Sequence, residues 1–289
     1  MLKRLYKNPY GIGKGTLERV AEDEQASGKT REYADMGLTL IDLAQNWCIK
    51  DINDPTFLED DRQFRGVIER FNRNQNSNIF YAPDLVYNSQ LIKSETKADG
   101  RTLNQVLEDE SIDQETKERI LTQQTSFFLY QLENPISEDE YLIHSDPHVG
   151  NYVIDTSHDT LKIAVIDRNM YLRLSKKDID VIIPLLQDDY NATKFLSSFV
   201  DRVSDINKEK GAGRIKTKTD VFLALVKEHG VRVRSADKFS LLKTVLAVFE
   251  KKKLYVPLEL QLMIRNITAQ KELLRRHGMK LEDFVSKEA

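Results

Sequence analysis

Residues 142–174, LIHSDPHVGNYVIDTSHDTLKIAVIDRNMYLRL, constrain this chain more than any other stretch. An apolar strand start runs into His144-Ser-Asp146-Pro-His148-Val-Gly150-Asn151. Tyr152–Asp155 then reads as a β-strand, Thr156–Thr160 as a polar turn, and Leu161–Ile166 as a second strand that ends on Asp167. The pattern specifies a hairpin with acidic and amide side chains at its ends. Asn151 stands five residues after Asp146, and Asp167 stands 21 after it.

That order has a mechanical reading. In phosphoryl transfer of the protein-kinase type, a catalytic-loop Asp orients the acceptor. An Asn five residues on, and an Asp after the next strand, hold Mg²⁺ between the phosphates. Protein groups do little covalent work there, so positioned carboxylates and metal supply most of the catalysis. Oxygen ligands suit Mg²⁺, which dehydrates reluctantly and is usually held by one or two carboxylates plus phosphate. The alternative is a polar hairpin whose Asp and Asn residues only make turns. Taken singly, each residue is better read as a turn former. All three, in this order between apolar strands, favour phosphoryl transfer.

Of the 289 residues, 40% are hydrophobic and 31% charged, enough for a sizeable core in an α+β chain of two lobes with an appended helical region. The net charge of −3 carries no global basic field, so nucleic acid is not an expected partner. The single cysteine, Cys48, rules out an internal disulfide and suits a reducing compartment; it reads as a core residue. No run approaches the about 18–20 apolar residues of a membrane span. The expectation is a cytoplasmic protein with at most peripheral lipid contact. Such contact would come through the basic stretch Lys208–Thr219, which reads first as a solvated loop.

Along the chain, residues 1–15 are basic and turn-rich, and Gly11, Gly13 and Gly15 read as a connector rather than a phosphate loop. Residues 16–50 read as helix broken near Gly28, 51–56 as a turn around Pro55, and Phe57–Arg73 as a second helix. Strands are expected at Ile79–Tyr87 and Gln90–Lys97, followed by an Asp99-Gly100 turn. Thr102 and Gln105 form a capping box that opens a helix. A long helix covers about 114–133. Ser175 to Asp178 cap the helical remainder, with helices through 195–203 and near 220–229, 236–252 and 257–276. Arg275, Arg276 and His277 before Gly278 suit a helix C-terminus.

With these residues in hand, the chain resembles the UbiB (AarF) family of atypical protein-kinase-like proteins. That family carries a catalytic loop of the form H-x-D-P-H-x-G-N and a following metal-binding Asp. The matching positions are His144, Asp146, Pro147, His148, Gly150, Asn151 and Asp167. Similarity extends back through Tyr81-Ala-Pro83 and Asp99-Gly100, covering about residues 1–175. The resemblance implies a protein-kinase-like bilobal fold that binds Mg·ATP, with ATPase activity or kinase activity toward a small molecule or lipid. It also implies a link to isoprenoid-quinone or membrane-lipid metabolism. By that likeness Asp146 is catalytic, and Asn151 and Asp167 are metal ligands. His144 and His148 would shape the loop by hydrogen bonding rather than bind zinc.

The departures are as specific as the match. Family members carry a phosphate-contacting Lys on a small-lobe strand, with an Ala-rich loop and a Lys-x-Gly-Gln segment before it. Neither segment is present, and Lys3 is the best candidate for the phosphate-binding Lys. The small lobe is therefore expected to be truncated, over 1–97, with the large, mostly helical lobe over 98–289. In the helix that should supply the Lys partner, Phe64 or Arg65 falls where the family has Glu, and Glu59 and Glu69 are the nearest glutamates. After Asp167, Arg168-Asn169 replace the usual Phe-Gly. Two alternatives follow. One is a pseudokinase serving as an interaction module. The other is an aminoglycoside-phosphotransferase-like kinase, whose C-terminal helices would offer acidic residues such as Asp178, Asp180, Asp188 and Asp189 to a cationic substrate.

Overall fold

The computed structural model describes residues 47–50, 57–88, 93–157, 161–168, 171–186, 192–209, 227, 245–247, 249, 251 and 255–285. Lys3, the glycines at 11–15, residues 16–46 of the helix expected over 16–50 and most of the region 210–254 lie outside them. The described residues form a mixed α+β structure. The chain divides into two compact units, Met1–Glu108 with Val149–Met170, and Asp109–His148 with Tyr171–Ala289. A single cut at 97/98 does not describe this division. Strand pairing explains why: the hairpin after Asn151 is hydrogen-bonded to strands from before residue 103.

The first unit is built on helix α1 (Phe57–Asn74), close to the expected Phe57–Arg73. It buries Phe64, Val67, Ile68 and Phe71, the i, i+3, i+4, i+7 stripe of an amphipathic helix. Each such side chain stabilises by about 1.5–3 kcal/mol on burial. Phe71 meets Phe80 edge-on, with ring centroids 5.4 Å apart. Next to it, the Asn72 side chain closes both backbone groups of Phe80, donating to the carbonyl at 2.7 Å and accepting from the N–H at 3.1 Å.

Two sheets belong to this unit among the described residues. Strands β1 (Trp47–Lys50), β3 (Leu85–Asn88) and β4 (Lys93–Thr96) pair antiparallel in the order β1-β4-β3. Strands β2 (Phe80–Tyr81), β5 (Arg101–Thr102), β7 (Tyr152–Asp155) and β8 (Lys162–Val165) form the order β2-β8-β7-β5, with β2 parallel to β8. Two expectations need correction. Residues 47–50 are strand rather than the end of a helix, since aromatic Trp47 and β-branched Ile49 suit a ladder once β4 is beside them. The single strand expected at Ile79–Tyr87 is instead two, β2 and β3, in different sheets. Pro83 lies between them and has no N–H to donate to a continuous ladder.

Gly100 makes the turn into β5. Its φ is +117°, and a Cβ there would stand 2.2 Å from the Ile154 carbonyl oxygen, so only glycine lets β5 approach β7. Helix α2 (Leu103–Glu108) follows, opened by the expected capping box: Gln105 Oε1 accepts from Thr102 N–H at 3.0 Å and Thr102 Oγ1 from Gln105 N–H at 3.4 Å. Burial pushes the Tyr81 phenol pKa up, and the carboxylates of Asp99 and Asp155 push it further.

The second unit packs helices α3 (Gln114–Glu133), α4 (Lys176–Ile182), α5 (Ala192–Glu209) and α6 (Leu258–Arg276) around an antiparallel pair, β6 (Glu140–His144) with β9 (Tyr171–Ser175). Its core joins Phe128, Leu132, Ile143, Leu172, Phe199, Met263 and Ile267. Inside it, Gln270 of α6 exchanges hydrogen bonds with Gln124 of α3 at 3.2 and 2.8 Å and donates to Thr125 at 2.8 Å, so the buried amides satisfy one another. The Ser175–Asp178 capping box is present as expected. Helix α6 ends at Arg276, and Gly278 at φ +75° lets Met279 N–H return to Leu274 O at 3.0 Å. No helix among the described residues is long and apolar enough to cross a membrane.

Candidate functional site

The β7–β8 hairpin holds two of the expected site residues. Its register pairs Tyr152 with Val165 and Asp155 with Lys162. Beyond the Tyr152–Val165 pair, Ile166 N–H donates to Asn151 O at 2.9 Å, which sets Asn151 opposite the start of the Ile166–Arg168 segment. Asn151 ends the 3₁₀ turn Val149–Asn151 and is buried, while Asp167 is half-buried. Asp167 has φ +55°, a left-handed conformation that Asp tolerates better than most residues. At the turn end, Asp155 accepts from the N–H and hydroxyl of Ser157 at 2.8 and 2.6 Å, an Asx turn. The hairpin's carboxylates thus divide by position: Asp155 shapes the turn, and Asp167 lies at the opposite end of the hairpin, two residues from the Val165 that pairs with Tyr152.

Arg168 is the residue whose role the sequence conceals. Against the resembled family it marks only the loss of an apolar Phe. In the structure it is 0% exposed. Its Nε donates to Asp61 Oδ1 at 2.8 Å, Nη1 to Val165 O at 3.0 Å and Nη2 to Pro83 O at 3.2 Å. The other oxygen of Asp61 accepts from Arg65 Nε at 2.8 Å, and Arg65 also donates to Ala82 O at 3.1 Å and Pro83 O at 2.6 Å. One buried carboxylate on α1 therefore binds two guanidiniums.

Among the acidic residues of α1, Asp61 bonds to the segment after Asp167, whereas Glu59 and Glu69 are exposed, with Glu59 engaged by Arg62 and Gln63. The signal was readable in principle: Asp61, Phe64, Arg65 and Ile68 fall at i, i+3, i+4 and i+7, so Asp61 lies on the buried stripe.

Asp146 belongs to the second unit, on the loop after β6. The ring of His144 is fully buried, edge-on to Tyr171 with centroids 6.4 Å apart. Its Nδ1 accepts from Asp146 N–H at 3.2 Å, and its own backbone N–H donates to Gln131 Oε1 at 2.9 Å. From α6, buried Asn266 donates to Ser145 O at 2.9 Å. The Asp146 carboxylate meets Arg265 Nη2 at 3.1 Å on Oδ1 and His148 Nε2 at 3.6 Å on Oδ2. A rigid loop thus presents a half-exposed carboxylate between two nitrogen groups.

The acidic residues expected to draw a cationic substrate serve other ends. Asp178 is buried, bonded to Ser175 and to Arg202 Nε at 2.8 Å, and Asp180 pairs with Lys176 at 3.1 Å. Asp188 and Asp189 lie outside the described residues. The C-terminal side chain that reaches Asp146 is Arg265, a cation.

Asn151 and Asp167 together offer one amide and one carboxylate oxygen donor. That set fits Mg²⁺, which takes hard oxygen ligands and leaves the remaining positions to water and phosphate. Among the described residues no three His, Cys, Asp or Glu side chains group as a metal-holding cluster. The candidate phosphate contact, Lys3, lies outside the described residues. No protein-family model matches this sequence, and no curated protein matches it either.

Proposed function

We propose that the chain is a UbiB-like, protein-kinase-fold ATPase or kinase that binds Mg·ATP. The observation that supports this reading is the pairing of Asn151 with the Asp167 segment across the open end of the hairpin, held by the Ile166–Asn151 hydrogen bond. Asn151 and Asp167 would hold the metal, and Asp146 would orient the acceptor. Bound Mg²⁺ would neutralise charge developing on the phosphates. The chain's own contribution is positioning, through a buried amide, a left-handed carboxylate and a catalytic-loop Asp fixed by His144 and Asn266. An acceptor in isoprenoid-quinone or lipid metabolism, reached at a membrane surface, fits the UbiB likeness. The contact of Arg265 with Asp146 disfavours a cationic acceptor of the aminoglycoside type, because the guanidinium repels a second positive charge brought to the same carboxylate.

A pseudokinase reading is favoured by the same contact, which engages the Asp146 carboxylate. A thermal-shift titration with ATP, with and without Mg²⁺, separates the readings when joined to a turnover assay. Binding to the folded state stabilises by about 2.7 kcal/mol at 100-fold excess over Kd. The active reading expects a Mg-dependent shift abolished by Asp167→Asn, and ATP turnover abolished by Asp146→Asn. A shift without turnover leaves the pseudokinase. No shift with either ligand removes both nucleotide readings.

A further inference from the structure

The ion pair between Asp61 and Arg168 has a role that follows from where its anchors lie. Arg168 is next in sequence to Asp167, and its guanidinium is bonded to two distant segments, α1 through Asp61 and the link after β2 through Pro83, and to the end of its own strand β8 at Val165. Three anchors on one side chain fix the backbone at 168. They thereby hold the preceding residue at φ +55°, a conformation that Asp adopts more readily than most residues but that still costs energy and is kept where the surroundings fix it.

Asp61 is itself fixed, with its second oxygen on Arg65, and Arg65 bonded in turn to the 82–83 carbonyls. The pair is fully desolvated, with side-chain exposures of 0% for Arg168 and 5% for Asp61. Buried pairs of this kind are weak evidence of a stabilising purpose, since well-packed apolar residues often serve as well.

Resting on the Mg·ATP reading, we propose that Asp61 and Arg168 are positioning residues that aim the Asp167 carboxylate at the metal. They couple helix α1 to the metal loop by a carboxylate–guanidinium bond, in place of the Phe that follows the metal Asp in the resembled family. Released from this anchor, Asp167 relaxes to an ordinary right-handed or extended backbone, and its carboxylate changes direction.

The test uses the full chain as wild type, Arg168→Lys, Arg168→Met and the double variant Asp61→Asn with Arg168→Met, and Asp167→Asn as the reference for a lost ligand. One readout is the Mg²⁺ concentration that gives half of the ATP-dependent thermal shift. The other is hydrogen exchange across residues 161–168 without nucleotide.

Loss of groups that orient a metal ligand costs about 10–100-fold in metal affinity, so Arg168→Met, by freeing the backbone beside Asp167, raises the Mg²⁺ requirement by up to that factor and speeds exchange at 166–168. The double variant leaves no fully buried charge unpaired, since Arg65, which also loses the Asp61 carboxylate, is partly exposed and keeps the 82–83 carbonyls and Asp84. It regains melting temperature but keeps the raised Mg²⁺ requirement. Arg168→Lys, which keeps the charge but not the fork, falls between and carries the test if Arg168→Met does not fold. Recovery of stability and Mg²⁺ requirement together in the double variant overturns the proposal, because a purely structural pair behaves that way. Unchanged exchange at 166–168 in Arg168→Met overturns the anchoring even where nucleotide binds. A wild-type chain with no Mg-dependent shift removes the nucleotide reading and the metal role with it, while the exchange data still decide whether the pair holds the loop.

Discussion

Arg265 and Asp146, 119 residues apart in sequence, meet with Nη2 3.1 Å from Oδ1. Both side chains are about half exposed, at 56% and 45%. In that setting water screens the attraction, and ordering two side chains costs entropy. Such pairs contribute about 0–1 kcal/mol. A double-mutant cycle of Arg265→Ala with Asp146→Asn, followed by urea unfolding, should return a coupling below about 1 kcal/mol. A much larger coupling would show that the pair is part of the structural frame. The expected result leaves Arg265 a surface cation beside the proposed catalytic carboxylate, where replacing it changes ligand contacts without unfolding the chain.

Asn72 closes the N–H and carbonyl of Phe80 with a single amide. The site is buried, so water cannot replace the lost partners without entering the core. Asn72→Ala should cost about 1–3 kcal/mol for each group left unsatisfied. The matched control is Arg73→Ala on the exposed side of the same helix, which should change stability by no more than about 0.5 kcal/mol. Equal effects at the two positions would refute the clamp.

Gly100→Ala brings two penalties together, a φ of +117° and a Cβ 2.2 Å from the Ile154 carbonyl oxygen. Backbone strain of this kind costs about 1–3 kcal/mol, and here the β5–β7 pairing must also open. Gly66→Ala, where a Cβ meets nothing within 4 Å in a helix, should be neutral or stabilising by up to about 1 kcal/mol. Thermal melts of both variants check the contrast, and a neutral Gly100→Ala would show that β5 approaches β7 less closely.

Asp178 supplies the pH dependence. Burial alone would raise its pKa, but hydrogen bonds from Arg202 and Ser175, with the Arg202 charge, together bring it below the ordinary 3.8. A carboxylate with a depressed folded value stabilises the fold above its unfolded value, and that stability is lost as pH falls through the folded one. The loss should therefore appear below pH 3.8. Acid unfolding of Asp178→Asn against wild type measures it: the difference between them should shrink as pH is lowered through that range. A difference that stays constant down to the lowest pH would sink the assignment.

Local pattern made much of this protein legible. The apolar stripe of α1, the capping boxes at Thr102 and Ser175, the β7–β8 hairpin and the glycine after α6 depend on residues a few positions apart, so their geometry is written in short spacings. The order of Asp146, Asn151 and Asp167 was readable for the same reason. Three other features depend on partners far away in the chain. Residues 47–50 become strand because β4 lies alongside, and the Phe80–Tyr81 strand finds its parallel partner 83 residues later at Ile163. Arg168, which the family likeness casts as a missing Phe, is buried against Asp61 from 107 residues earlier. Spacing and periodicity determined the elements and the candidate ligands. Only tertiary packing decided which carboxylate neutralises a buried guanidinium, because desolvation makes that pairing obligatory without naming the partner.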